Sequence, residues 1–189
     1  MTPEAPSKPS FVLRMTLIAA MAALICVCSW LTVPSVVPFT LQTFAVFCAL
    51  LLLGGKDGLY AVILYLLMGA LGVPVFAGFS GGVGYMLGPT GGYLIGFVLT
   101  ALLYWLCEPL FKNRRPLRYP ALAVGLMLCY LAGTVWFVTV MNAPDRGGDY
   151  TFWAALLVCV VPYLIPDALK LVFAGVLCHA VSKRLKFVR

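Results

Sequence analysis

The sequence predicts an all-α integral membrane protein of six transmembrane helices with both termini cytoplasmic. Three observations predict it. Of the 189 residues, 63% are hydrophobic and 10% are charged, and the mean hydropathy is +1.04, a balance at which lipid rather than water surrounds most side chains. Charged residues fall in short clusters between long apolar runs. When those runs are folded into crossings of about 20 residues each, nearly all Lys and Arg collect on one side. This length holds about six crossings and leaves no room for a soluble domain beside them, so a single membrane domain over 1–189 is expected.

The first span is expected at 11–31. It is long for a secretory signal and ends without a small-x-small cleavage site, so it reads as a retained helix. From Met15 to Gly55 no residue is charged, a stretch long enough for two crossings, with Pro34, Ser35 and Pro38 marking the turn; the second span is placed at 39–55. From Gly58 to Cys107 charge is again absent, and the glycine-rich stretch Gly78 to Gly92 divides it into spans at 58–76 and 92–111. After the basic cluster Lys112, Arg114, Arg115 and Arg118 come a fifth span at 119–141, a polar connection from Asn142 to Tyr150, and a sixth span at 163–182. Phe152 to Val161 is left as a short helix at the outer surface, with the sixth span starting near Pro162 to Pro166.

Orientation follows from the basic residues. Lys8, Arg14, Lys56, Lys112, Arg114, Arg115, Arg118, Lys183, Arg184, Lys186 and Arg189 share one face, Arg146 alone lies on the other, and Lys170 falls within a span. The outer face is then almost uncharged and rich in Gly, Pro and aromatic residues. Clusters that orient a membrane protein account for the formal charge of +7 without nucleic acid. The cysteines at 26, 28, 48, 107, 129, 159 and 178 all sit in apolar runs with no Cys-x-x-Cys pair, as small buried side chains do.

Asp167 and Lys170 are the most informative pair. Ionisable residues within a span cost a few kcal/mol on insertion scales and mark pathways or binding sites, and a spacing of three puts both on one helical face. They can grip a polar ligand together; the competing reading is an interfacial salt bridge with Lys170 snorkelling to the headgroups. Prolines at 162 and 166 disrupt the helix start and free backbone groups for a ligand. The segment GFSGGVGYMLGPTGGYLIG at 78–96 is the second candidate. Its glycines admit close backbone approach, and Phe79, Tyr85 and Tyr93 offer apolar faces with polar tips; equally, Gly88, Gly92 and Gly96 recur at the spacing that lets helices touch. Gln42 offers one amide to a ligand, or to a neighbouring helix or water. Ala19 and Ala23 form a small-x-x-x-small face against another helix, of this chain or of a partner.

Other features carry no chemistry. Gly54-Gly55-Lys56-Asp57 lacks both the first glycine and the Ser or Thr of a phosphate loop. His179 has no ligand at metal spacing, and Glu108 beside the basic cluster reads as an interfacial ion pair.

VPFTLQTFAV at 37–46, GPTGGYLIGF at 88–97, and Asp167-x-x-Lys170 preceded by Pro166 together make the chain resemble the BioY family, the biotin-specific substrate-capture subunits of energy-coupling-factor transporters. The resemblance implies a six-helix bundle in the bacterial inner membrane whose outward-facing pocket is closed by the first, third and fifth loops. It implies biotin as ligand, with Asp167 and Lys170 helping to bind it and Gln42, Phe79, Tyr85, Thr90 and Tyr93 completing the pocket. A lysine can pair with the valerate carboxylate and an aspartate can accept from the ureido N–H groups. The chain departs from the family's common Pro-Gly-Asp by having Ile165-Pro166-Asp167. The third loop carries no charge, leaving its polar contacts to backbone, Ser80, Thr90 and tyrosines. The resemblance also assigns Ala19 and Ala23 to contact with a transmembrane coupling protein. ATP would be used only by partner ATPases, and no cofactor or metal is expected. The rival readings are capture of a different vitamin and a membrane enzyme, the latter disfavoured by the absence of Cys-x-x-Cys and of clustered Asp, Glu or His.

Overall fold

The computed structural model describes residues 10–111 and 114–184. The protein is an all-α membrane protein. Helix α1 (Phe11–Trp30) starts at Ser10, whose hydroxyl accepts from the Leu13 N–H at 3.3 Å, and is followed by two short strands, β1 (Thr32–Val33) and β2 (Phe39–Thr40). They pair antiparallel, Thr32 opposite Thr40 and Val33 opposite Phe39. Then come α2 (Gln42–Leu53), α3 (Gly55–Ala70), a one-turn α4 (Val83–Met86), α5 (Gly91–Phe111), α6 (Arg118–Met141), α7 (Phe152–Cys159) and α8 (Val161–Arg184). Among the described residues four helices, α1, α5, α6 and α8, are long and apolar enough to cross a membrane.

The second and third segments differ from the sequence expectation. Helix α2 begins at Gln42 rather than 39, because Phe39 and Thr40 pair with β1 instead of joining the helix. Gly54 adopts φ +85°, which only glycine takes without strain, so α3 starts at once and carries Lys56 and Asp57 in its first turn. Helix α3 ends at Ala70, short of 76, as Gly72 at φ +94° and Pro74 turn the chain away. Helix α8 starts at Val161 and runs unbroken through Pro166, so Asp167 lies inside the helix and not at a disrupted start. Pro162 lies in the first turn, where an N–H has little to bond with, whereas Pro166 is the sixth residue and leaves the Pro162 carbonyl without its helical donor. Residues 152–159 form the separate short helix expected before it.

Helix α2 is the centre of the bundle. It packs on α1, α3 and α8 and touches α5, and Ala45 to Leu50 are all buried, as befits a helix apolar on every side. At 12 residues it is about 18 Å long, well short of a hydrocarbon core of about 30 Å. Beyond its N-terminus the β1–β2 hairpin and the chain from Leu71 to Thr90 cover a cavity. The Trp30 indole donates to Pro74 O at 2.9 Å and its ring stacks on Phe79, and the Trp136 indole donates to Gly88 O at 2.9 Å, tying these connections to α1 and α6.

Helices α5 and α6 form the tightest pair. A Cβ at Gly96 would lie 2.5 Å from Cys129 Sγ and 2.8 Å from its Cα, and one at Gly125 2.8 Å from Thr100 Cγ2. Gly92 faces Trp136 and Gly133 faces the Tyr93 ring in the same way. The glycine repeat of Gly92 and Gly96 therefore serves helix contact, and Thr100 Oγ1, 2.9 Å from Gly96 O and 2.8 Å from Gly125 O, sits at the crossing.

The opposite end of the bundle holds the basic residues. Arg14 on α1 pairs with Asp57 on α3 through both guanidinium edges, Nε to Oδ2 at 2.6 Å and Nη2 to Oδ1. Glu108 accepts from the Gly55 N–H at 3.3 Å and so caps the start of α3; of the basic cluster expected to pair with it, Lys112 and the Arg115 side chain lie outside the described residues. Of the residues that fix orientation, Lys8, Lys112, Lys186 and Arg189 lie outside the described residues.

Candidate functional site

A cavity of about 610 Å3, counted out to its open mouth, lies where α2 stops short. Its walls come from α2, α5, α6 and α8, roofed by the β1–β2 hairpin and by Ala77 and Tyr85 of the α3–α5 connection.

Asp167 and Lys170 face this cavity and are 3% and 7% exposed, which places them among the packed side chains and removes the snorkelling alternative. Lys170 Nζ donates to Asp167 Oδ1 at 2.6 Å, to the Thr40 carbonyl at 2.6 Å and to Thr43 Oγ1 at 3.2 Å. It also stands 4.0 Å from the centre of the Phe39 ring, where a cation is attracted by the π face. Asp167 accepts from Thr43 Oγ1 at 3.0 Å and, on its other oxygen, from the Tyr130 hydroxyl at 2.5 Å. Buried charges persist only when paired and hydrogen-bonded. Here α2, α6, α8 and the hairpin all contribute to that pairing.

Gln42 is buried on the cavity wall, its amide nitrogen 2.5 Å from Tyr65 Oη and its amide oxygen accepting from Thr40 Oγ1 at 2.9 Å. Tyr85, Thr90 and Tyr93 also line the cavity. Tyr85 stacks on the buried Phe76 at 5.1 Å, and Phe76 stands edge-on to Tyr65 at 5.6 Å. Phe79 is not part of the wall. It is 64% exposed and stacks on Trp30, because its φ of +57° turns the side chain out of the loop. Among the described residues no three His, Cys, Asp or Glu side chains gather as metal ligands.

Sequence reasoning missed Thr43, Tyr130, Tyr163 and Phe39, all of which line the cavity. Tyr163 carried a signal: it lies four residues before Asp167 and seven before Lys170, on the same face of α8. Thr43 stood inside the motif at 37–46. Tyr130 is one of four hydroxyls on α6, with Tyr119, Thr134 and Thr139, and nothing in its neighbourhood in the sequence tells which acceptor it meets.

Comparison with known proteins adds the family. A model of the BioY family matches residues 2–187. The biotin transporter BioY of Thermotoga maritima is 40% identical over 163 residues, spanning 85% of this chain and 90% of that one. The probable biotin transporter BioY of Pyrococcus horikoshii is 38% identical over 143 residues, 76% of this chain and 79% of its own. The crystal structure of the S-component for biotin from an ECF-type ABC transporter superposes with a TM-score of 0.80 over 95% of both chains at 24% identity, which establishes the shared fold. The matched range spans nearly the whole chain, the residues of the hairpin and of the ion pair included, and the chain belongs to the BioY family.

Proposed function

We propose that this protein captures biotin in the cavity beside Asp167 and Lys170 and passes it inward with energy-coupling partners. The observation that carries the reading is a buried acid–base pair set in a largely apolar cavity, in a chain whose relatives are named as biotin transporters. Biotin is complementary to such a site. Its carboxylate suits an ammonium, its ureido N–H groups suit a carboxylate, and its thiophane ring and aliphatic arm suit Phe39, Tyr85, Tyr93, Leu94 and Phe97. Gln42 and Thr90 add polar groups to the same wall. The function is transport and not catalysis, in keeping with the transporter names of the relatives.

In the proposed topology the single domain crosses the bacterial inner membrane six times, α2 and α3 making their crossings together with the hairpin and the α3–α5 connection. Arg14, Lys56, Arg118, Lys183 and Arg184 mark the cytoplasmic end with both termini, and the cavity opens outward. Ala19 and Ala23 are exposed on α1, beside the buried stripe of Ile18, Ala22 and Ile25. That leaves a smooth surface for a transmembrane coupling protein, and hydrolysis of ATP belongs to further subunits. Ala19→Trp is expected to reduce co-purification of the coupling partner severalfold, with biotin affinity unchanged; full assembly of the variant would move the interface elsewhere.

Isothermal calorimetry of the purified protein in nanodiscs tests the substrate. Saturable one-to-one heat with biotin, unaffected by excess of other vitamins, is the expected result. No heat with biotin, from protein that remains folded, would remove the biotin reading.

A further inference from the structure

Tyr163 makes contacts that the ion pair does not explain. Its hydroxyl donates to Val37 O at 2.5 Å and lies 2.6 Å from Ser35 Oγ, while Ser35 Oγ itself bonds Val37 O. Its ring stacks on Phe39 at 6.0 Å between centroids and 26° between planes. All three partners belong to the stretch from Val33 to Thr40 that roofs the cavity, and Ser35 and Val36 are exposed at its tip. The strands themselves pair over only two residues each, too few for a hairpin to hold its shape in water unaided. Its position over the cavity therefore depends on what it touches outside itself.

Two groups on α8 supply that hold. Lys170 grips Thr40 O, and Tyr163, two turns earlier on the same face, grips the tip. The two grips differ in one respect. Lys170 is the group expected to turn to an anionic ligand, and an ammonium has only three N–H bonds to give. The hydroxyl of Tyr163 carries no charge to be drawn to an anion and is bonded to the hairpin at Val37 O.

We infer that Tyr163 is a positioning residue that latches the Thr32–Thr40 hairpin over the occupied cavity, and so sets how fast the ligand leaves. The inference rests on the capture reading, in that the hairpin must cover a ligand. When Lys170 is diverted to the ligand, the Tyr163–Val37 bond and the Phe39 stack keep the roof down.

Tyr163→Phe keeps the ring and removes the hydroxyl. Hydrogen exchange on the ligand-free variant in nanodiscs is expected to be faster in peptides covering 31–41 and unchanged in α5 and α6. Bound radiolabelled biotin, chased with unlabelled biotin, is expected to leave about tenfold faster, the scale of one lost hydrogen bond, at an unaltered association rate. Ser35→Ala, outside every helix, should move both readouts in the same direction by less. Wild-type exchange at 31–41 together with wild-type release would overturn the latch, as would faster exchange spread along all of α8. Should the wild-type protein fail to bind biotin, the capture reading falls, and the exchange of 31–41 still decides whether Tyr163 holds the hairpin.

Discussion

Lys170→Ala is expected to weaken biotin binding by about two orders of magnitude, since truncating one member of a buried, hydrogen-bonded charge pair costs roughly 2–5 kcal/mol. The same change should also lower the melting temperature of the empty protein. It leaves Asp167, 3% exposed, with Thr43 and Tyr130 but no cation, and an uncompensated buried charge is destabilising by about 3–5 kcal/mol. The two consequences can be separated. In Asp167→Asn/Lys170→Met both charges are gone, and neutral replacement of a buried pair is often harmless to folding. The double variant should therefore recover most of the wild-type melting temperature while binding no better than Lys170→Ala in calorimetry. Wild-type affinity in the double variant would remove the pair from the site.

The second large effect belongs to Gly96. A leucine there must displace Cys129, whose Sγ and Cα lie 2.5 Å and 2.8 Å from where its Cβ would stand. Backbone on a packed helix does not give way as a flexible side chain does, and overpacking costs about 1–3 kcal/mol even where it can be relaxed. Gly96→Leu is expected to exceed that range and to weaken biotin binding as well. Separating α5 from α6 parts Tyr93, Leu94 and Phe97 from Cys129 and Tyr130 across one cavity. Thermal unfolding in detergent with and without biotin would show it, and a variant with wild-type midpoints would mean that α5 and α6 can shift without cost.

The long helices were legible because lipid imposes a length and a composition on any segment that crosses it. Residues 11–31, 92–111, 119–141 and 163–182 each match an observed helix to within a few residues. The second and third segments were less legible, since hydropathy cannot tell a membrane helix from an apolar strand beside it. Phe39 and Thr40 read as the start of a span and became an edge of the hairpin. The sign of φ at Gly54 decided where α3 begins, and no composition window reports that. At the site, Asp167 and Lys170 were legible from their cost in a membrane, and Gln42, Tyr85, Thr90 and Tyr93 all line the same cavity. Phe79 shows the limit: it occupies the right loop, and one backbone angle sends it to Trp30. Thr43 and Tyr130 are brought to Asp167 by helices that neighbour α8 in space and not in sequence, so only the tertiary packing could name them.

The cavity lining carries no net charge, because Asp167 and Lys170 cancel within hydrogen-bonding distance, and both are buried. An arriving anion therefore feels little long-range pull, and its encounter rate is that of an unsteered collision. Nor does Lys170 wait as a bare hydrated cation, for its bonds to Thr40, Thr43 and Asp167 have already taken the place of water. Capture becomes an exchange of hydrogen-bond partners at Lys170. A protein built this way gains selectivity for scarce solute from how long it holds on, and its persistence as a carrier is set by the roof and not by attraction from afar.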